Sequence, residues 1–509
     1  MTAVAVSEAP ASSSSRGRAL VGRIVRMEIR HSAFVWCVPL LVILFFYDPY
    51  RTAGTYPALW PLRSTVVLNK FWPDMVVFAA GFSAWSGTRE GRRNVSDLLA
   101  TTARPAWTRQ LCSLAGTAFW VVATFLAGVI AIYVQTAQAA TWGGPPVWPV
   151  IVGVVAMTAV CAVAFTVGAL FPGRFTAPIV AVGITIVALV AFRQAVDDNG
   201  GSRGAIGVLS PDGAVPGNDW GLFNPVSVGV PIVQVMFMGG VVLAAAGVLG
   251  LSPRTGGVGW RGALSAVAAG GARLRTVAVS AFAVGVALAA ASFILAETAN
   301  VSDATSTLQI PAIDEALSGS NPIPYTPACS AGPGSFQVCV HPAYQPYLPW
   351  VAGALGPVIA QVSGLPGGPT SARELPASQL PQAVRQGFAK GQIAGRSYEF
   401  SLSNAIGFSP TPSMVKDSLQ QDLMHAIIVG SAGEFDSKGF QPNPGTLAQQ
   451  AVVNGLLKAL GTPPFTTKQV QVTAAAARFA ALPASTRHAW LVRNLTALKA
   501  GAITVAQLP

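Results

Sequence analysis

Apolar residues in this chain run long and nearly unbroken through the first three-fifths, then fall into short groups broken by Pro, Gly and charge. About 20 mostly apolar residues are needed to cross a bilayer as a helix. Seven stretches come near that length: residues 33–47, 71–87, 111–134, 147–171, 177–192, 228–251 and 277–296. The first two are short, and the second carries Asp74, Ser83 and Ser86. After Glu297 no run is long enough to span. The pattern predicts a polytopic α-helical membrane protein of about seven spans, with a C-terminal mixed α/β, helix-rich domain at 297–509. Within that domain it predicts strands at 335–341 and 397–402, and helices at 348–362, 417–429, 446–460, 467–482 and 484–500.

Composition agrees with the pattern. Of 509 residues, 52% are hydrophobic and 10% charged, and the mean hydropathy is +0.51. Soluble domains carry roughly 25% charged residues, so a lipid-facing surface accounts for the deficit. Net charge is +12, and its distribution decides its meaning. Residues 1–296 hold 20 Lys and Arg against 10 acidic residues, whereas 297–509 hold 12 against 10. The excess therefore sits on the links between apolar runs, with no basic face of the kind that binds nucleic acid.

The arginines also set orientation. Arg16, Arg18, Arg23, Arg26 and Arg30 precede the first run, and Arg89, Arg92, Arg93, Arg104 and Arg109 follow the second. Arg174 follows the fourth, and Arg254, Arg261, Arg273 and Arg275 follow the sixth. The alternate links are poorer, with Arg51, Arg63 and Lys70 in one, none at 135–146, and Arg193 and Arg203 in the last. The positive-inside rule then puts the N-terminus in the cytoplasm, and seven crossings put 297–509 outside. Residues 1–32 read as a cytoplasmic N-terminus with an amphipathic interfacial helix, retained as an anchor and not cleaved. Residues 33–251 make six spans, and 252–296 add a cytoplasmic link and a seventh.

Candidate chemistry is sparse. Cys37, Cys112 and Cys161 lie in apolar runs, where a thiol acts as a small hydrophobe. Cys329 and Cys339 lie in a Pro/Gly-rich stretch, and outside the cytoplasm their natural state is a disulfide. His341, His425 and His488 are dispersed and read as surface or structural histidines. No H-E-x-x-H or G-x-S-x-G pattern occurs in 297–509 and no G-x-x-x-x-G-K-[ST] pattern anywhere, so neither catalytic, metal nor cofactor residues are expected. Pro39 is expected to kink the first span, and Asp74, beside Trp72 and Pro73, to sit at an interfacial helix start. Residues 194–225, rich in Gly, Asp and Pro, read as a flexible loop or a lid.

Two segments stand out as handles for a partner. Residues 18–30, RALVGRIVRMEIR, place apolar side chains near helical spacing with arginines between them. Residues 88–110, TREGRRNVSDLLATTARPAWTRQ, offer a charged start, an apolar patch at Val95, Leu98 and Leu99, and Pro105 as a stop. Together these segments resemble type-2 ABC exporter permeases over about residues 15–251. In that family the stretch after the second span is a coupling helix that docks on a cytoplasmic ATP-binding subunit. The resemblance implies docking by Glu90, Arg92, Arg93, Asp97, Leu98 and Leu99, a dimer of membrane subunits in the lipid bilayer, and ATP hydrolysis by the separate subunit. The seventh span and the external domain lie outside the family's usual plan. The segments VCVHPAY and TRHAWLVRNLTALKAGAITVAQLP are similar to tails of permease-like membrane proteins from high-GC actinobacteria. The competing expectation is a membrane-anchored sensor or assembly protein whose external domain binds a ligand or envelope partner.

Overall fold

The computed structural model describes residues 13–92, 106–195, 204–213, 221–251, 272–301, 308–317, 322–331, 336–381, 384, 389–430, 433–436, 439–442 and 446–509. The first described element is helix α1 (Ser13–Arg30). A 3-10 turn at Ala33–Cys37 leads into α2 (Val38–Tyr47), with Pro39 in its first turn. The disturbance expected at Pro39 is thus a change of helix type just before it, where the ring would obstruct an α-helical carbonyl. Helix α3 (Pro49–Thr55) continues the run.

The second apolar stretch begins earlier than its hydropathy predicts. Helix α4 (Trp60–Val66), a π-helical turn (Val67–Phe71) and α5 (Trp72–Gly87) form one helical run. Pro73 has no N–H and would clash with the carbonyl four residues back in a regular α-helix. The π-turn absorbs that fault, so Asp74 lies inside a continuous run and not at its start. There follow α6 (Arg89–Arg92), α7 (Ala106–Ala137), α8 (Trp148–Leu170), α9 (Thr176–Ala195), the short α10 (Ala205–Leu209), α11 (Gly229–Leu251) and α12 (Ala272–Glu297).

Among the described residues, five helices are long and apolar enough to cross a membrane: Val21–Thr55, Ala106–Ala137, Trp148–Leu170, Gly229–Leu251 and Arg275–Glu297. They correspond to the first, third, fourth, sixth and seventh candidate stretches. The second is α5, of 16 residues, and the fifth contains the shorter apolar helix Thr176–Ala191. Large apolar side chains face outward on these helices, among them Trp36, Ile43, Ile179, Val187, Val277 and Ile294. So much exposed apolar surface marks a molecule that meets lipid or another apolar partner.

Small residues let the helices touch backbone to backbone, the packing that helices in lipid favour. Helix α8 lies at the centre, against α5, α7, α9 and α11. A Cβ on Gly87 would stand 2.2 Å from the Phe165 carbonyl, and one on Gly168 2.2 Å from that of Ala84. Helix α12 packs along α11 through a second such seam. A Cβ on Gly240 would meet the Gly285 carbonyl at 2.7 Å, and one on Gly285 the Ala244 nitrogen at 2.4 Å.

After α12 come the paired strands β1 (Asn300–Val301) and β2 (Leu308–Gln309) and helix α13 (Pro311–Leu317). The domain's main sheet uses β3 (Ala328–Ala331), β4 (Gln337–Val340), β5 (Ser371–Glu374), β6 (Gly391–Ala394) and β7 (Ser397–Phe400), in the order β3-β4-β5-β7-β6. Its inner pairs β4–β5 and β5–β7 are parallel and its outer pairs antiparallel. Helix α14 (Leu348–Val362) makes the β4–β5 crossover. The remaining helices are α15 (Leu402–Ile406), α16 (Pro412–Ile428), α17 (Leu447–Ala459), α18 (Val470–Ala481) and α19 (Ala484–Lys499). A hairpin of β8 (Gly433–Asp436) and β9 (Gly439–Pro442) joins α16 to α17. Tyr344, Val351, Leu355, Tyr398, Phe400 and Leu419 form the core of this mixed domain. That core also takes in Leu59, Leu62, Leu222 and Phe223 from links of the helical half, so the domain is packed onto the bundle.

Candidate docking site and domain junction

The predicted docking segment emerges at the end of the bundle away from the domain. Glu90 and Arg92 lie in the single turn of α6, while Arg93, Asp97, Leu98 and Leu99 lie outside the described residues. Around that turn the amphipathic helix, the second run and α7 are fastened together. Arg89 Nη1 faces Glu28 Oε2 of α1 at 3.5 Å, and Arg109 Nε of α7 donates to Glu90 Oε1 at 2.9 Å. The Arg92 guanidinium lies 4.9 Å over the Trp85 ring. Helix α1 seats on α7 because Gly116 has no side chain, where a Cβ would stand 2.8 Å from that of Glu28. Trp120 Nε1 completes the seat by donating to the Ile29 carbonyl at 2.7 Å.

These ion pairs are partly solvated, and such pairs contribute at most about 1 kcal/mol each. They orient the start of the link more than they stabilise it. Neighbouring links join the same surface. A Cβ on Gly91 would stand 2.4 Å from that of Pro172, and Trp107 Nε1 donates to the Ala246 carbonyl at 2.9 Å. Glu90 and Arg92, which the resemblance assigned to docking, are therefore brought together with α1, the fourth-helix link and the end of α11.

The opposite end carries the domain and is built differently. Asp314 of α13 is buried, and its carboxylate accepts from Ser227 Oγ, Val228 N, Gly229 N and Ile310 N at 2.7, 3.1, 2.9 and 2.8 Å. A helix start leaves backbone N–H groups without partners and favours negative charge. The domain's first helix thus supplies the cap of α11 from a distance, and Gly229 leaves room for it. Arg63, also buried, donates to the Tyr56 and Gln135 carbonyls and ties the first link to the end of α7.

His341 is the hub of this junction. It is 1% exposed, and its ring centroid stands 4.5 Å from that of Trp142, 5.0 Å from Phe223 and 4.5 Å from Tyr325. Its Nδ1 accepts from Ala343 N at 3.2 Å. Burial disfavours the imidazolium and lowers the pKa to about 4, so the ring is neutral at physiological pH. Beside it Thr141 Oγ1 donates to the Pro342 carbonyl at 2.9 Å. His341 is thus packed inside the fold, and two of its three aromatic neighbours, Trp142 and Phe223, come from links of the helical half. Cys329 and Cys339 are partners in the β3–β4 register, with Cα atoms 4.1 Å apart, and are joined as a disulfide.

Among the described residues, no group of three or more His, Cys, Asp or Glu is placed to hold a metal ion. His488 Nε2 lies 2.7 Å from the Ser363 carbonyl, and the His425 ring lies against Phe465. A cleft of about 390 Å³ between Trp36, Phe82, Trp85 and Pro178 is lined by apolar side chains. Asp314 and Arg63 had no sequence signal, because their partners are set only by the fold. No protein-family model matches the chain, and no curated protein matches it.

Proposed function

We propose that the chain is the membrane-spanning, permease-like subunit of an ATP-driven export complex, with ATP bound and hydrolysed by a separate cytoplasmic subunit. It crosses the membrane seven times, and residues 297–509 lie outside the cytoplasm. The observation that carries this reading is the fastening of the link after α5. Glu28–Arg89 and Glu90–Arg109 connect an amphipathic helix, that link and α7 into one surface. A force applied there by a partner reaches two spans at once. The alternation of links supports the topology. The links after α2, α7 and α9 meet the domain, whereas those after α5 and α8 meet each other at the far, arginine-rich end.

The test is co-purification from native membranes, followed by peptide identification. Wild type should bring down an ATP-binding protein, and a Glu90→Arg, Arg92→Glu, Arg93→Glu variant should lose it while eluting as folded protein. Equal recovery with both, or none with wild type, refutes the assignment. The alternative, a membrane-anchored sensor, draws support from the buried His341 hub, which would carry a change in the domain straight to the links. A sensor of that kind retains its function in the triple variant.

A further inference from the structure

The link between α9 and α11 holds a group of buried oxygens with nothing to bond. Asp212, in the turn Pro211–Gly213, is 2% exposed, and both its carboxylate oxygens are buried without a hydrogen-bond partner. Ser210 Oγ and Gln234 Oε1 are in the same state, in residues 4% and 0% exposed. The three residues come close together in the fold. Gln234, on α11, donates from Nε2 to the Val208 and Ser210 carbonyls at 2.9 and 2.5 Å. That fixes the amide beside the Ser210 backbone, two residues from Asp212, and leaves its oxygen without a donor.

Among the described residues, the surroundings offer no compensating charge. The turn packs against α8, α9 and the π-helical turn Val67–Phe71. Helix α8 has no charged residue. Lys70 of the π-turn is paired with Asp48 at 3.9 Å, and Arg193 of α9 is exposed. Burying one polar group unpaired is costly, and an ionised carboxylate more so. Four unpartnered buried acceptor atoms on three residues of one link and its facing helix are a set that a single positive species would satisfy. Hard cations take oxygen ligands from carboxylate, amide and hydroxyl groups. One carboxylate supplies one negative charge, which a monovalent ion balances and a divalent ion would exceed.

We propose that Ser210, Asp212 and Gln234 bind a monovalent hard cation of the sodium class where the outer link meets α8, α9 and α11. Burial raises the Asp212 pKa to about 8, so near neutral pH a cation enters as the carboxyl proton leaves. Occupancy would fix the link to α11, the helix whose other fastening is the Asp314 cap. This site is independent of the export reading, since it needs no ATP-binding partner.

The test is thermal unfolding of the full chain in detergent at equal ionic strength, in sodium, potassium or N-methylglucamine chloride, at pH 6.5 and 8.5. Wild type should show a saturable rise of a few degrees in Tm with sodium over N-methylglucamine, larger at pH 8.5. Asp212→Asn should lose that response. In N-methylglucamine it should be at least as stable as wild type, because it removes a buried unpaired acid. Ser210→Ala should shift half-saturation to higher sodium. Equal Tm in all three salts overturns the proposal, as does an Asp212→Asn variant that still responds. A Tm that varies with pH but not with salt also overturns it, and identifies Asp212 as a buried neutral acid.

Discussion

The two ends of the helix bundle are fastened by opposite means. At the arginine-rich end, α1, α6 and α7 are joined by Glu28–Arg89 and Glu90–Arg109, pairs that water still reaches. At the domain end, Asp314, Arg63 and His341 are buried and held by hydrogen bonds or rings from segments far apart in the chain. Buried polar contacts break at high cost, and solvated pairs break at little. One end is thus built to hold its geometry, and the other to yield at little cost.

Breaking each end in turn should expose that difference. The largest effect is expected from Asp314→Ala, which strips the acceptor from Ser227, Val228, Gly229 and Ile310 at once. A loss of about 3 kcal/mol is expected from the unpaired donors and the missing cap. It should be read as a lower Tm and faster amide exchange at the start of α11. Acidification comes next. His341 has a folded pKa of about 4, below its ordinary 6.5, so the neutral form is the one the fold favours. Its contribution is complete above pH 6.5 and fades as pH falls towards 4, by at most about 3 kcal/mol. Tryptophan fluorescence from Trp142 should report that loosening, and His341→Gln should flatten the profile. The smallest effect is expected at the other end, where Arg89→Ala should change stability by less than about 1 kcal/mol. A large loss there, with none from Asp314→Ala, would reverse the comparison.

Much of this architecture was legible because lipid-facing helices need no pattern finer than length and apolarity. The domain helices at 348–362 and 484–500 were legible too, since each begins near Pro349 or after Pro483 and keeps helical spacing. The start of the second helical run was not. Arg63 and Lys70 dilute its hydropathy, and only the fold reveals that Arg63 is buried against carbonyls. Strands β5 and β6, SARE and GQIA, were missed for a different reason. They are four residues long and mixed in polarity, and their pairing with β7 gives them a strand's environment. Of the residues that the resemblance assigned to docking, Glu90 and Arg92 lie in the turn α6, within the stretch 88–110 singled out from the sequence. The sequence could not foresee Glu28, because that contact spans 61 positions.

The central proposal is that the two ends face opposite sides of a membrane, with the arginine-rich end inside. It is tested most directly by a membrane-impermeant maleimide on intact cells, in a background with Cys37, Cys112 and Cys161 replaced by alanine. Ser413 is exposed in the domain, and Gly22 of α1 has open space around its Cα. The account predicts that Ser413→Cys is labelled on intact cells and Gly22→Cys only after lysis. Labelling of Ser413→Cys only after lysis, or of Gly22→Cys on intact cells, would contradict it.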